Sequence, residues 1–366
     1  MHLTSASGFS VADTGTNHPV RVPQHACDQH VSEPASQASG RISHVHQEHR
    51  RERRKRGVVG MTGIDKTVVV LGATGQQGGS VAAALRADGW RVRAVVRDTF
   101  SDRARSLSAT GVETVRGDLG DAESLHAAFS GAHGVFSVQP NSGQAGANVT
   151  NEDEVRFGAA VAGIAEHRGI THLVYSSAVT AGSTTGVAHL DTKSRVEGHV
   201  RNLDIAATII RPATFMELLV TPGMGLDRGQ LSFLMRPDQA MQFIAVRDIG
   251  RIVAAVFGSP DRYAGRTMEI AGDALTGHAL AGHLARAAGR TIHYSRLPTT
   301  LSAQDDVLRA LKALVDDGRL AGNANLDALR TEFPFLLRFD RWLAGPGAGL
   351  LAQALRASDT GIAPRP

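Results

Sequence analysis

Cysteine is nearly absent: Cys27 is the only one in 366 residues. No disulfide can therefore close within the chain, and a reducing compartment suits the composition. No run of about 20 apolar residues, the length of a membrane-crossing helix, occurs anywhere. There is no signal-like apolar core behind Met1 either, so the expectation is a cytoplasmic protein without a membrane partner. Charge of one sign is also scarce. The formal net charge is +4, and residues 1–60, with eight Lys/Arg against five Asp/Glu, hold +3 of it. The remaining body is close to neutral, which excludes the basic field that nucleic-acid binding needs.

Residues 1–60 are rich in Ser, Gln, His and Gly, lack apolar periodicity and end in HRRERRKRG. They read as a disordered arm. His25, Cys27 and His30 lack a fourth ligand and a scaffold, so no metal site is expected there or elsewhere. Met61 opens MTGIDKTVVV, a normal lead-in to a first strand, and is the expected start of the folded chain, with the arm itself not necessarily made.

From Lys66 onward, strand-like and helix-like segments alternate. Apolar runs at 67–71, 91–96, 112–116, 134–138, 172–176 and 207–210 predict six buried strands. The intervals predict helices over 80–87, 121–129 with Asp121 as N-cap, 152–167 and 192–202. Short apolar strands separated by helices imply an α/β fold with a Rossmann-type, doubly wound parallel sheet.

Gly72, Gly75 and Gly78 follow the first strand and open the first helix, spaced G-x-x-G-x-x-G. In such a loop the first glycine permits a tight turn, the second lets backbone approach a pyrophosphate and the third lets helix and sheet pack closely. The helix N-terminus adds free N–H groups for phosphate. At the end of the second strand, where the adenosine ribose is read, AVVRD supplies Arg97 and Asp98, with Arg103 further on. Arginine there suits the 2′-phosphate of NADP and a carboxylate the ribose diol of NAD, so NADP(H) is expected first and NAD(H) second. Asp118 and Leu119 follow the third strand as neighbours of the adenine.

With these residues the chain resembles the NmrA-like branch, HSCARG-type, of the atypical short-chain dehydrogenase/reductases. The resemblance runs from about Lys66 to Leu343 and rests on VVVLGATGQQGGSVAAAL, VRAVVRD, GVETVRGDLGD, HLVYSSA, HLDTKSRVEGHV, IIRPATFMELL, FIAVRDIGRIVAAVF and LDALRTEFPFLLRFDRWL, in that order. It implies a dinucleotide-binding domain over 61–212, a smaller, partly helical C-terminal subdomain over 213–343 interleaved with it, and a flexible tail over 344–366. The cofactor-facing set it implies is Gly72, Thr74, Gly75, Gln76, Gln77, Gly78, Arg97, Arg103, Asp118, Leu119, Val138, Gln139, Lys193 and Pro212.

Active short-chain dehydrogenases carry Y-x-x-x-K, whose tyrosine donates a proton and whose lysine holds the nicotinamide ribose. Here Lys193 stands in the lysine place and His189 in that of the tyrosine. Ser176, or its neighbour Ser177, matches the serine that would polarise a substrate carbonyl. Imidazole donates well only as imidazolium, from a reference pKa of about 6.5, and cations beside it lower that further. Proton donation is handicapped and cofactor binding is not. The first expectation is a redox sensor or regulator that passes its NADP(H) state to a protein partner. The alternative is an NAD(P)H-dependent reductase of a small quinone, enal or similar acceptor, using Lys193, water or His189 as proton source. Whether it is an enzyme stays open at this point. Leu308, Leu311 and Val315 at helical spacing, and FPFLLRF over 333–339, read as packing.

Overall fold

The computed structural model describes residues 65–143, 148–298 and 305–356. The arm with His25, Cys27 and His30, and Met61, lie outside them.

Strand β1 (Thr67–Val70) shows why the sheet is buried on both faces. Val68 and Val70 enter one apolar cluster and Val69 and Leu71 another, so alternate side chains meet opposite helical layers. The chain continues through α1 (Gln76–Ala87), β2 (Arg91–Val96), α2 (Asp102–Ala109), β3 (Glu113–Arg116), α3 (Ala122–Ala128), β4 (Gly134–Ser137), α4 (Asn151–His167), β5 (His172–Ser176), α5 (Ala188–Arg201) and β6 (Ala207–Pro212). Asp121 caps α3 as expected, accepting from the N–H groups of Glu123 and Ser124. Thr150 caps α4 in a reciprocal box with Asp153.

The chain then forms β7 (Thr214–Phe215), β8 (Gln230–Phe233), β9 (Ala240–Ile244), α6 (Val246–Gly258), α7 (Pro260–Tyr263), β10 (Thr267–Ile270), β11 (Asp273–Thr276), α8 (Gly277–Ala288), β12 (His293–Arg296), α9 (Asp306–Asp316), α10 (Leu326–Glu332), α11 (Phe339–Ala344) and α12 (Ala348–Arg356). The main sheet has seven strands, ordered β10-β6-β5-β4-β1-β2-β3. Every pairing in it is parallel. The strand order reverses between β1 and β4, and ligands bind at the carboxyl ends beside such a switch.

Three differences from the sequence reading have physical causes. The sheet gains a seventh strand, β10, because residues beyond 212 return to pair Thr267–Ile270 with Ile209–Pro212. Helix α1 begins at Gln76 rather than at 80, since Gly78 sits inside its first turn for packing despite its poor helix propensity. The tail expected to be flexible from 344 instead forms α12, whose Leu351 and Ala354 are buried in the C-terminal core with Trp342 and Phe339; residues 357–366 lie outside the described set. That second core gathers β7, β9 and β11 in one small sheet, β8 and β12 in another, and α8, α11 and α12 around them. Phe333 and Leu336 of FPFLLRF pack as expected, in the core beneath the main sheet.

Candidate functional site

The three glycines behave as three different constraints. Gly72 adopts φ +65, and a Cβ there would lie 2.9 Å from Val138 Cγ1, at the end of β4. Gly75 is the N-cap of α1, and no side chain caps the helix, which leaves the first-turn N–H groups open. Gly72, Thr74, Gly75 and Gln76 are exposed, so the loop is accessible. Gly78 is buried, and a Cβ on it would fall 2.3 Å from Gly72 O. The loop is thus an open backbone cradle whose floor only glycine permits, and it fits a pyrophosphate.

Beside it, a cleft of 350 Å³ is lined by Ala73 and Thr74 of the loop and by Asp102, Arg103, Ser106 and Leu107. Arg97, at the end of β2, and Arg103 are both exposed. Neither makes an ion pair among the described residues, so both guanidiniums are available to a ligand phosphate. Asp98 accepts instead from Phe100 N–H and so shapes its own loop. Asp118 is exposed and accepts from Gly120 N–H, while Leu119 is half-buried against the core. A larger cavity of 530 Å³ opens at the opposite, amino-terminal ends of the strands, by Lys66, Trp90 and Tyr263. It holds none of the cradle residues.

At the carboxyl end of β5 and in the first turns of α5 the structure places Ser176, His189 and Lys193, and it gives Ser176 and Lys193 buried partners of their own. Ser176 is buried and its hydroxyl donates to Gln77 Oε1 at 2.7 Å. Its proton is directed to the cradle helix. Lys193 is buried too, and its Nζ pairs with Glu154 Oε1 on α4 at 2.5 Å. Glu154 is fully buried, and its other oxygen accepts from Thr192 Oγ1 at 2.7 Å. Gln139 is buried with its amide turned to Ser137 at 2.8 Å, Val138 supports Gly72, and Pro212 is buried at the end of β6.

His189 stands in the first turn of α5, since the helix begins at Ala188 and not at 192. It is half-buried, and its ring lies against Gly143, where a Cβ would come within 2.8 Å of Cδ2. Burial lowers its pKa and Lys193 lowers it further, while Glu154 and Asp191 pull the other way. Asp191 pins the preceding loop by accepting from Thr185 N and Oγ1, each at 2.7 Å, and from Gly186 N at 3.1 Å. Arg319 reaches the same loop at Thr184 O.

Glu154, Thr192 and the Gln77–Ser176 bond escaped the sequence reading. Glu154 stands in NEDE at a helix start, where acids complement the dipole anyway, and nothing local separates it from Glu152 and Asp153. Glu152 reaches out to Arg195, and Asp153 caps.

The sequence profile of the NmrA-like family matches residues 64–325. The chain belongs to that family. It is 30% identical over 225 residues to an NmrA-like family domain-containing oxidoreductase, FrzB, of Cladobotryum sp, covering 55% of this chain and 67% of that one. It is 27% identical over 267 residues to an NAD(P)H azoreductase of Xenophilus azovorans, covering 70% and 89%. Among solved structures it resembles NmrA, a negative transcriptional regulator, in complex with NADP, with a TM-score of 0.65, 20% identity, and 81% and 99% of the two chains covered. That last likeness is one of fold. Among the described residues no helix is long and apolar enough to cross a membrane, and no cluster of three metal-ligating side chains occurs.

Proposed function

We propose that this NmrA-like chain binds NADP(H) in preference to NAD(H) and is a reductase of electron-poor, conjugated acceptors such as quinones or azo compounds. The observation that carries the reading is the chemistry missing beside Lys193. The tyrosine position holds His189, whose pKa burial depresses, and the serine proton is spent on Gln77. Bound there, the reduced nicotinamide would supply a hydride. The protein would have to supply the proton, and among the described residues no strong acid is positioned there at neutral pH. An acceptor whose reduced form is a resonance-stabilised anion tolerates that lack, because solvent can protonate it; a simple ketone does not. The oxidoreductase and azoreductase relatives support the same class.

The cradle residues Gly72, Thr74, Gly75, Gln76, Gln77 and Gly78 would hold the pyrophosphate, Arg97 and Arg103 the 2′-phosphate, and Lys193 the nicotinamide ribose. Asp118, Leu119, Val138, Gln139 and Pro212 would line the remainder. The weak proton supply equally suits a redox regulator that binds the cofactor without turnover, the second reading. Mixing the protein with NADPH and a panel of quinones, azo dyes, enals and ketones, followed at the reduced-nicotinamide band, separates them. The expected result is oxidation with quinones or azo dyes and little with ketones. NADPH bound but oxidised by none of them favours the regulator, and no NADPH bound overturns both.

A further inference from the structure

Among the described residues, Glu154, Glu197 and Asp248 are acids with no exposed surface. Glu197 is spoken for, taking Arg211 through Nε at 2.9 Å and Nη2 at 2.7 Å together with Arg201. Asp248 accepts from Leu337 N–H at 2.7 Å, away from the cleft. Glu154 alone faces the proposed catalytic end, and its partners there are Lys193 and Thr192, both from α5. The Thr192 hydroxyl also lies 3.1 Å from His189 O, one turn earlier. One carboxylate therefore organises the turn of α5 that carries both His189 and Lys193.

We infer that Glu154 is the positioning residue of the site, the buried counter-charge that pairs with Lys193 and holds it aimed at the nicotinamide ribose. This rests on the cofactor-binding reading of the cleft but not on turnover. A buried ammonium needs a facing anion, and removing one partner of such a pair leaves an uncompensated buried charge. The other charged groups near Lys193 do not replace Glu154. His189 and Asp191 share α5, and Asp191 is bound to Thr185 and Gly186. Arg195 is paired with Glu152, and Arg211 with Glu197. Tyr175 on β5 is buried and its pKa is pushed well up by burial and then by Glu154 and Glu197, so it stays neutral.

The test is NADPH affinity, read by nicotinamide fluorescence without any acceptor, on wild type, Glu154→Gln, Lys193→Met and the double variant. Glu154→Gln should weaken NADPH about tenfold or more. Lys193→Met should bind weakly too, and adding Glu154→Gln to it should cost nothing more, because one residue acts through the other. The fragment 2′,5′-ADP, which ends before the nicotinamide ribose, should bind all four proteins alike. Thr192→Val, which frees the second carboxylate oxygen and the His189 carbonyl, should weaken NADPH by less, and it serves if Glu154→Gln folds poorly. A Glu154→Gln affinity equal to that of wild type, or losses that add in the double variant, would overturn the inference while leaving the cleft assignment intact. A wild type that binds no NADPH would overturn both.

Discussion

Gly75 and Gly78 stand one turn apart and serve different ends. At Gly75 the backbone is extended, with φ −101, and a Cβ would meet only Gly72 O at 3.3 Å, so the chain itself tolerates a side chain there. Gly75→Val should keep the melting temperature yet abolish dinucleotide binding in calorimetry, because the side chain would occupy the phosphate position. Gly78→Val should lose both binding and stability, since its Cβ would strike Gly72 backbone atoms at 2.3 and 2.4 Å. Arg97, exposed and free of ion pairs among the described residues, should read the 2′-phosphate. Arg97→Ala should weaken NADPH by roughly 1.5 to 3 kcal/mol and leave NADH nearly unchanged, and equal losses would remove it from cofactor choice. His172 illustrates a cost hidden in the core. Its Nε2 is 2.8 Å from Thr208 Oγ1, whose own proton goes to Tyr263 O, so the imidazole donates and its buried Nδ1 has no hydrogen-bond partner among the described residues. Burial, then His133, lowers its pKa from 6.5 to about 4. Below pH 6.5 the unfolded chain takes up this proton before the folded one does. The contribution is thus fully present above pH 6.5 and lost as pH falls toward 4, by at most about 3 kcal/mol. Urea melts of wild type and His172→Gln should converge or cross over that window; curves that stay parallel would show His172 titrating normally.

At the scale of elements, the position of the cradle depends on one helix crossing. Helix α6 lies on α1 so closely that a Cβ on Gly250 would fall 2.3 Å from Ser80 O, and Ser80 Oγ donates to Val246 O at 2.8 Å. Val246 N–H in turn is held by both oxygens of Glu217, from the 3-10 turn Met216–Val220 of the C-terminal part. Gly250→Val should wedge the two helices apart and cost about 1 to 3 kcal/mol in denaturant unfolding, and NADPH affinity should drop with it, because α1 carries the phosphate-facing N–H groups. Retained affinity would mean the cradle does not depend on this contact. Much of this level was legible beforehand. The alternation of strands and helices, the Asp121 cap and the last turn of α1 followed from apolar runs, a capping residue and a glycine at 89. The start of α5 was not legible, because Val187 offers no capping side chain and α5 is positioned by Asp191 reaching back to the loop.

At the scale of the molecule, the sheet and the C-terminal part are one body. Strand β10 covers the edge of β6, and Ile249, Ile252, Val253 and Val256 of α6 complete the core over β1 and α1. A chain of residues 61–212 should therefore expose the β6 edge and the face of α1, and fail to give a cooperative transition. Residues 61–356 should unfold in a single transition and bind NADPH. Independent folding of the shorter chain, seen by circular dichroism and melting, would show that the later elements are accessory.

What the sequence determined by itself is whatever local sterics and local periodicity impose. Strands buried on both faces must be continuous apolar runs, a φ of +65 at Gly72 demands glycine, and a phosphate-facing turn demands a backbone without side chains. What only the tertiary structure decided is which polar groups meet. Gln77 finds Ser176, 99 residues away, and Glu154 finds Thr192 and Lys193 on the next helix. In the sequence Glu154 is one acid among several at a helix start and Ser176 one of two serines at a strand end. Their partners come from helix crossings and strand order, and no local pattern records those; the burial that makes the pairings matter exists only once the layers have closed over them.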